Sequence, residues 1–359
     1  MKIVFHSNQL SLRGTEVALF DYAYFNQTLL GNESIVVFDR NSPNNAPAAL
    51  QKFQEHFPTI AYDRFEDVDA LIREHNADLL YCIKSGKRDG KVSRIVPTMV
   101  HAVFPTPVTQ VHGAAYAYVS DWLSLICSNS KVPAVPHMIY LPRLDKDVAP
   151  DLRAELGIPE EATVFAYYGG EKSFDIAFVK QEVIPEVLRR KPDVYFLFMN
   201  IEKFIDHPRA LFLPGSSDVE YKVRFINTSD AMLHARQAGE TFGIACGEFS
   251  IMNKPVFAYE KSRDKNHLLV LGDKAYIYAD SASLKGELFG FDRKKAAQQN
   301  WDCYSAQYSP QRVMEMFDQH FIKEALHNGV TDIPSASFSP MEKLRSSLAV
   351  TGIKLRQRL

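Results

Sequence analysis

Short apolar runs recur along this chain with amphipathic windows of ten or so residues between them, and this alternation limits the fold more than any other feature. Residues 2–6, 35–38, 59–61, 78–83 and 97–103 read as strands, with helices over about 16–30, 48–56 and 65–74. Such alternation predicts a mostly parallel sheet with helices on both faces. AAYAYVSDWLSLIC then reads as a strand and a helix capped by Ser120 and Asp121. Prolines at 133, 136, 142, 150 and 159 space out polar turns, the best linker signature in the chain. A second round follows: a short helix at 150–156, strands at 163–168, 194–199, 210–213, 231–235, 256–258 and 275–278, and helices from about 174 and over 310–326. At 359 residues the chain is longer than one core usually grows. The reading is therefore an α/β protein of two domains, 1–145 and 146–325, with a tail at 326–359.

Composition excludes more than it names. A formal net charge of −2 gives no whole-protein attraction to nucleic acid. Cysteines 82, 127, 246 and 303 stand too far apart in sequence for a metal cluster or a disulfide framework, which fits a reducing, cytoplasmic setting. The chain opens directly on a strand and has no run of about 18 apolar residues.

The stretch HARQAGETFGIACGEFSIMNKPVFAY, 234–259, carries the densest chemistry. It reads as a strand exit, a loop holding Glu240, a short helix with Glu248 near its first turn, and a buried strand. Gly243 lets backbone approach a ligand, and the amides of Gly243, Ile244 and Ala245 become donors at a helix start, suited to a carboxylate, a phosphate or a sugar hydroxyl. Asn253 can end the helix before Lys254-Pro255.

This stretch resembles the Glu-seven-residues-Glu motif of retaining GT-B glycosyltransferases, in particular glycosyltransferase family 4. Glu240, Phe242-Gly243, Glu248 and Lys254-Pro255-Val256 match in order and spacing, while Thr241, Phe249 and Asn253 replace the commoner Gly, Ala and Gly. The resemblance covers most of 1–325 and implies the GT-B fold, two Rossmann-like domains with a crevice between them. It implies an acceptor side in the first domain and a nucleotide-sugar donor side in the second, with the terminal helix and the tail at 326–359 returning to the first domain. Glu240, with the backbone of 242–245, would bind the sugar, and Glu248 would hold ribose hydroxyls.

The same resemblance nominates further residues. Arg13-Gly14-Thr15-Glu16 looks like a variant of the glycine-rich loop facing the donor diphosphate or the acceptor; a plain turn into a helix is the alternative. His101 is the candidate histidine facing the donor sugar, with His112 its rival and a structural role open to both. After the strand at 163–168, Gly169-Gly170 and Lys172 make a place where a diphosphate could be neutralised, although Gly170 stands where the family carries arginine. Arg236 or Arg13 is the alternative source of that charge. The region 215–219, beginning at Gly215, would frame the base, with uracil and guanine both open.

The implied activity is transfer of a sugar from a UDP- or GDP-sugar, which is a substrate, to a glycan or lipid-linked acceptor, with no cofactor and no metal. Asp-Lys-Asp at 145–147 falls in the linker and reads as solvated. Two basic segments stand out. KSGKRDGKVSR at 84–94 reads as a surface loop or an acceptor-side anion patch. KLRSSLAVTGIKLRQRL at 343–359 reads as a solvated tail, a final helix or a contact with anionic lipid. The alternatives to transfer are a GT-B phosphorylase or epimerase, and a catalytically weak binding or scaffold subunit.

Overall fold

The protein is described here by a computed structural model covering residues 1–141, 150–331 and 337–355. It divides into two compact units: Met1–Met138 with Gln307–Leu359, and Ile139–Ala306. The Asp-Lys-Asp run at 145–147 and residues 332–336 lie outside the described residues.

In the first unit six strands form one parallel sheet: β1 (Lys2–Ser7), β2 (Glu33–Asp39), β3 (Thr59–Tyr62), β4 (Leu79–Lys84), β5 (Thr98–Ala102) and β6 (Ala115–Tyr118). Their spatial order is β3-β2-β1-β4-β5-β6. All six residues of β4 and all five of β5 are buried, as strands covered by helices on both faces require. The helix Gly14–Thr28 begins two residues earlier than the sequence suggests and stops before Gly31. Phe5, Tyr22, Tyr81, Phe317 and Phe321 pack ring against ring, which brings the helical run 310–328 back onto this sheet. That run passes through one π-helical stretch, Asp318–Lys323. Beyond it the helix Pro340–Leu355 opens with a reciprocal cap: Ser339 Oγ accepts from the Glu342 amide at 3.3 Å, and the Glu342 carboxylate accepts from the Ser339 amide at 2.8 Å.

The second unit repeats the plan. Its main sheet contains β7 (Thr163–Tyr168), β8 (Val194–Met199), β9 (Ala210–Leu213) and β10 (Ala231–His234). A two-residue strand, β11 (Gly239–Glu240), comes next in the chain, followed by β12 (Val256–Tyr259), β13 (Asp264–Lys265) and β14 (Ala275–Tyr278). The main sheet is parallel in the order β14-β12-β10-β7-β8-β9, and β11 pairs separately with β13. In both units the chain therefore starts in the middle, builds outward on one side, then crosses to build the other. The reversal falls between β1 and β4 in the first sheet and between β7 and β10 in the second. In doubly wound sheets the crevice for a ligand opens at the carboxyl ends of the strands flanking that reversal.

Three local readings need correction. Glu240 lies in the paired strand β11 instead of a free loop, because backbone bonds to 264–265 capture it. The helix after Gly243 runs Ile244–Ile251, so Glu248 sits in its second turn. Lys172 occupies a turn and not a helix entrance, since helical backbone begins only at 177 and passes through a π-helical stretch at Val179–Val183 into Ile184–Arg190.

Candidate active site

At the carboxyl end of β10 in the second unit a carboxylate, a guanidinium and two imidazoles come together. Glu240 accepts from Arg236 Nη1 through both oxygens at 2.9 Å, and its Oε1 lies 3.1 Å from His234 Nε2. Burial pushes the Glu240 carboxyl up, but Arg236 foremost, then His234 and His267, hold it at about 2. The carboxylate is thus ionised and three of its roughly four acceptor directions are used. Burial keeps the His267 ring, tilted at 44° with its centroid 4.6 Å from that of His234, neutral, with its pKa well below the ordinary value. Both His267 ring nitrogens and His234 Nδ1 lack a hydrogen-bond partner among the described residues.

Two glycines make this geometry. Gly239 has φ +64°, and a Cβ there would fall 2.1 Å from the Asp264 carbonyl oxygen, so only glycine permits the β11–β13 pairing that aims Glu240. Gly243 has φ +101° and caps the helix Ile244–Ile251; a Cβ on it would press on Glu240 and His267 at 3.3 and 3.2 Å. The amides of Ile244 and Ala245 open that helix, where the first amides have no intrahelical acceptor. One carboxylate and a short row of donors therefore share a few residues of chain, an arrangement able to bind a hydroxylated ring by accepting and donating together.

Glu248 is buried and reaches another group. It accepts from Lys222 Nζ at 2.5 Å and from the hydroxyl of Tyr168, the last residue of β7. Lys222 comes from the helix Val219–Thr228, whose start is fixed by Asp218 accepting from the Glu220 and Tyr221 amides. The two glutamates of the motif thus occupy the two sides of the β7–β10 reversal, Glu240 following β10 and Glu248 touching the end of β7.

Past β7 the chain turns sharply. Gly169 is hemmed in by Ser173 and Tyr167, and its carbonyl accepts from Asn200 Nδ2 at 2.7 Å; Asn200 also packs where a Cβ on Gly215 would lie. The 169 loop and the 215 segment are joined through this one asparagine. A Cβ at Gly170 would meet nothing within 4 Å. Lys172 is 80% exposed and lies 3.6 Å from Glu202, itself 57% exposed, so its ammonium is free to move.

In the first unit Arg13 is exposed and stands just before the helix Gly14–Thr28, where its carbonyl accepts from the Glu16 and Val17 amides. Glu16 is buried against Ser7 and Ser11, and burial raises its carboxyl pKa. His101 is fully buried, its Nδ1 2.7 Å from the Tyr81 hydroxyl, with Tyr22, His137 and Phe321 against its ring; burial lowers its pKa to about 3. His112 is buried also and lowered to about 4, again chiefly by burial. The basic loop at 84–94 spends much of its charge internally. Lys84 is buried on Asp89 at 2.6 Å, Lys91 bonds Asn8 at 2.5 Å, and Arg88 donates to the Val111 carbonyl at 2.7 Å.

Tyr168, Asn200, Lys222 and His267 were not legible as site residues. Each lies on a different element, and none carries a local motif; the sheet order brings them to the site. His234 opens the motif stretch, and its place five residues before β11 was its only signal.

Two doubly wound sheets in series define the class: this is the α/β fold of the GT-B glycosyltransferases. Solved structures with this fold include Anabaena HepE in complex with UDP-glucose, at 14% identity and TM-score 0.63, covering 91% of this chain and 98% of that one. A glycosyltransferase from Rickettsia africae gives 12% identity and TM-score 0.59, covering 98% of each chain. A structure described as a UDP-N-acetylglucosamine 2-epimerase from Listeria monocytogenes gives 12% and 0.54, covering 90% and 97%. At such identities the likeness is one of fold. No family profile matches the chain, and no curated protein matches it in sequence.

Proposed function

We propose that this chain is a retaining glycosyltransferase of the family 4 type, moving a sugar from a UDP- or GDP-sugar to a glycan or lipid-linked acceptor. The observation that carries this reading is the pair of engaged glutamates at the β7–β10 reversal, Glu240 beside the Gly243 helix start and Glu248 on Tyr168 and Lys222. In transfer from a nucleotide sugar, negative charge grows on the leaving phosphate while positive charge grows on the ring. Glu240, ionised and fixed, suits the sugar; Glu248 suits ribose hydroxyls; and the Gly215 segment, tied to the 169 loop by Asn200, suits the base. Lys172 and the exposed side of Arg236 are the cations for the diphosphate, in a reaction that needs no resident cofactor and no divalent metal. His101 is left out of the reacting set, because an imidazole with no exposed surface cannot meet a donor. Four free cysteines suit a reducing, cytoplasmic setting.

The Listeria epimerase fold favours a second reading, inversion of a sugar centre on the intact nucleotide sugar. Incubating the protein with a panel of UDP- and GDP-sugars separates the two. Release of UDP or GDP, with retained anomeric configuration in the sugar product, supports transfer. An altered nucleotide sugar with no release supports epimerisation, and neither turnover nor nucleotide-dependent thermal stabilisation supports the scaffold reading.

A further inference from the structure

The helix Pro340–Leu355 has two apolar faces, and only one is covered. Ser346, Val350 and Ile353 are buried, with Ser346 accepting from the Val108 amide at 2.9 Å and donating to the Cys127 carbonyl; Glu342 pairs with Lys131. These contacts pin the helix to the first unit. On the opposite face Met341, Leu344, Leu348 and Leu355 are 60%, 57%, 63% and 56% exposed. At 3.6 residues per turn they fall within an arc of roughly 60°, so they form one stripe instead of scattered exposures. A helix held rigidly on its core side while presenting leucines to water is not explained by its own packing.

Charge decides what covers the stripe. Residues 343–359 contain five basic side chains, Lys343, Arg345, Lys354, Arg356 and Arg358, and no acidic one. A second copy of the chain laid along the stripe would set Lys343 and Arg345 of each copy against a like-charged segment, with no acid in 343–359 to offset them. An anionic lipid surface supplies the missing charge, and its acyl boundary accepts the leucines. Among the described residues no helix is long and apolar enough to cross a membrane, so contact through this helix is in the plane of the surface. We infer that the Met341–Leu344–Leu348–Leu355 stripe of the helix Pro340–Leu355 docks the protein on anionic membrane surfaces. The inference is independent of the donor chemistry proposed above, and its test does not use turnover.

Flotation of the full chain with vesicles of phosphatidylcholine, with and without phosphatidylglycerol, tests it. Wild type should float with the anionic vesicles at least about tenfold more strongly than with phosphatidylcholine alone, and should be released by salt. The double variant Leu344→Gln/Leu348→Gln should bind anionic vesicles more than about tenfold more weakly, with unchanged circular dichroism and melting temperature, since both side chains are already in water. Arg345→Glu should weaken binding without touching the stripe. Wild type that fails to float with anionic vesicles, or a double variant that floats as well as wild type, overturns the inference. So does a concentration-dependent dimer that the double variant abolishes in a protein that binds no vesicle.

Discussion

Removing Arg236 should expose how strongly the second unit depends on its most charged contact. Glu240 is 19% exposed and receives two 2.9 Å bonds from a guanidinium that is 34% exposed. Its carboxyl, ordinarily at 4.5, is held at about 2. Taken whole, that displacement is worth about 3 kcal/mol at 1.36 kcal/mol per pH unit; screening of a third-exposed arginine reduces it to about 1–2 kcal/mol. The folded-state pKa is depressed, so this stability is complete above about pH 4.5 and is lost as pH falls toward 2. Arg236→Ala should therefore destabilise the second unit by about 2 kcal/mol at neutral pH, because a mostly buried carboxylate loses its main partner. It should also shrink the loss between about pH 4.5 and 2, because without the arginine the Glu240 carboxyl is no longer held as far below its ordinary value. Glu240→Gln in the same background should remove much of the penalty, giving a coupling of about 1–2 kcal/mol in a double-mutant cycle. The two tryptophans lie one in each unit, so Trp301 fluorescence in a Trp122→Phe background reads urea unfolding of the second unit alone. Additive mutants, with coupling within about 0.3 kcal/mol of zero, would refute the reasoning.

Other consequences are as concrete. Lys172→Ala should leave stability within about 0.5 kcal/mol, since the pair with Glu202 is exposed, yet cut kcat by roughly 10²-fold if the ammonium meets the leaving phosphate; steady-state kinetics beside Arg236→Ala and Arg13→Ala identify which cation serves. Glu248→Gln should weaken free-nucleotide binding by about 1–3 kcal/mol in calorimetry, and unchanged affinity in a folded variant removes Glu248 from the ribose role. Saturating chelator should leave turnover intact; loss restored by magnesium or manganese contradicts the phosphate assignment. His6 and His101, both lowered to about 3 chiefly by burial, should make the first unit lose stability as pH falls below about 6.5, by up to about 1.4 kcal/mol per pH unit for each ring. His101→Leu should flatten that slope by about one proton in urea titrations followed through Trp122.

The central strands were legible because each is a short run whose side chains nearly all face protein. TVFAYY and VYFLFM, for example, coincide with β7 and β8 as observed. The helix cap at Ser120 was equally plain, with its hydroxyl accepting from the Leu123 amide. What resisted reading was set by distant parts of the chain. The order of strands, and hence the reversal between β7 and β10, depends on crossovers that no window contains. Pairing of Glu240 with 264–265 spans more than twenty residues, and Lys222 meets Glu248 only because two helices converge on the end of β7. The return of 307–355 to the first unit, which the family resemblance implied, rests on Phe317 and Phe321 entering a ring cluster with Tyr22 and Tyr81, a contact that a periodic helix signal alone does not reveal. The basic letters of 84–94 gave the charge of the loop but not its fate, since Lys84, Arg88 and Lys91 are taken up by partners at or around the strand ends.

The central claim is that a nucleotide sugar binds at the carboxyl ends of β7 and β10. Hydrogen–deuterium exchange of the full chain, with and without saturating UDP- or GDP-sugar, tests it most directly. The account predicts slowed exchange concentrated in 168–173, 213–222 and 239–248. Protection confined to other segments, or none with any donor that raises the melting temperature, would contradict it.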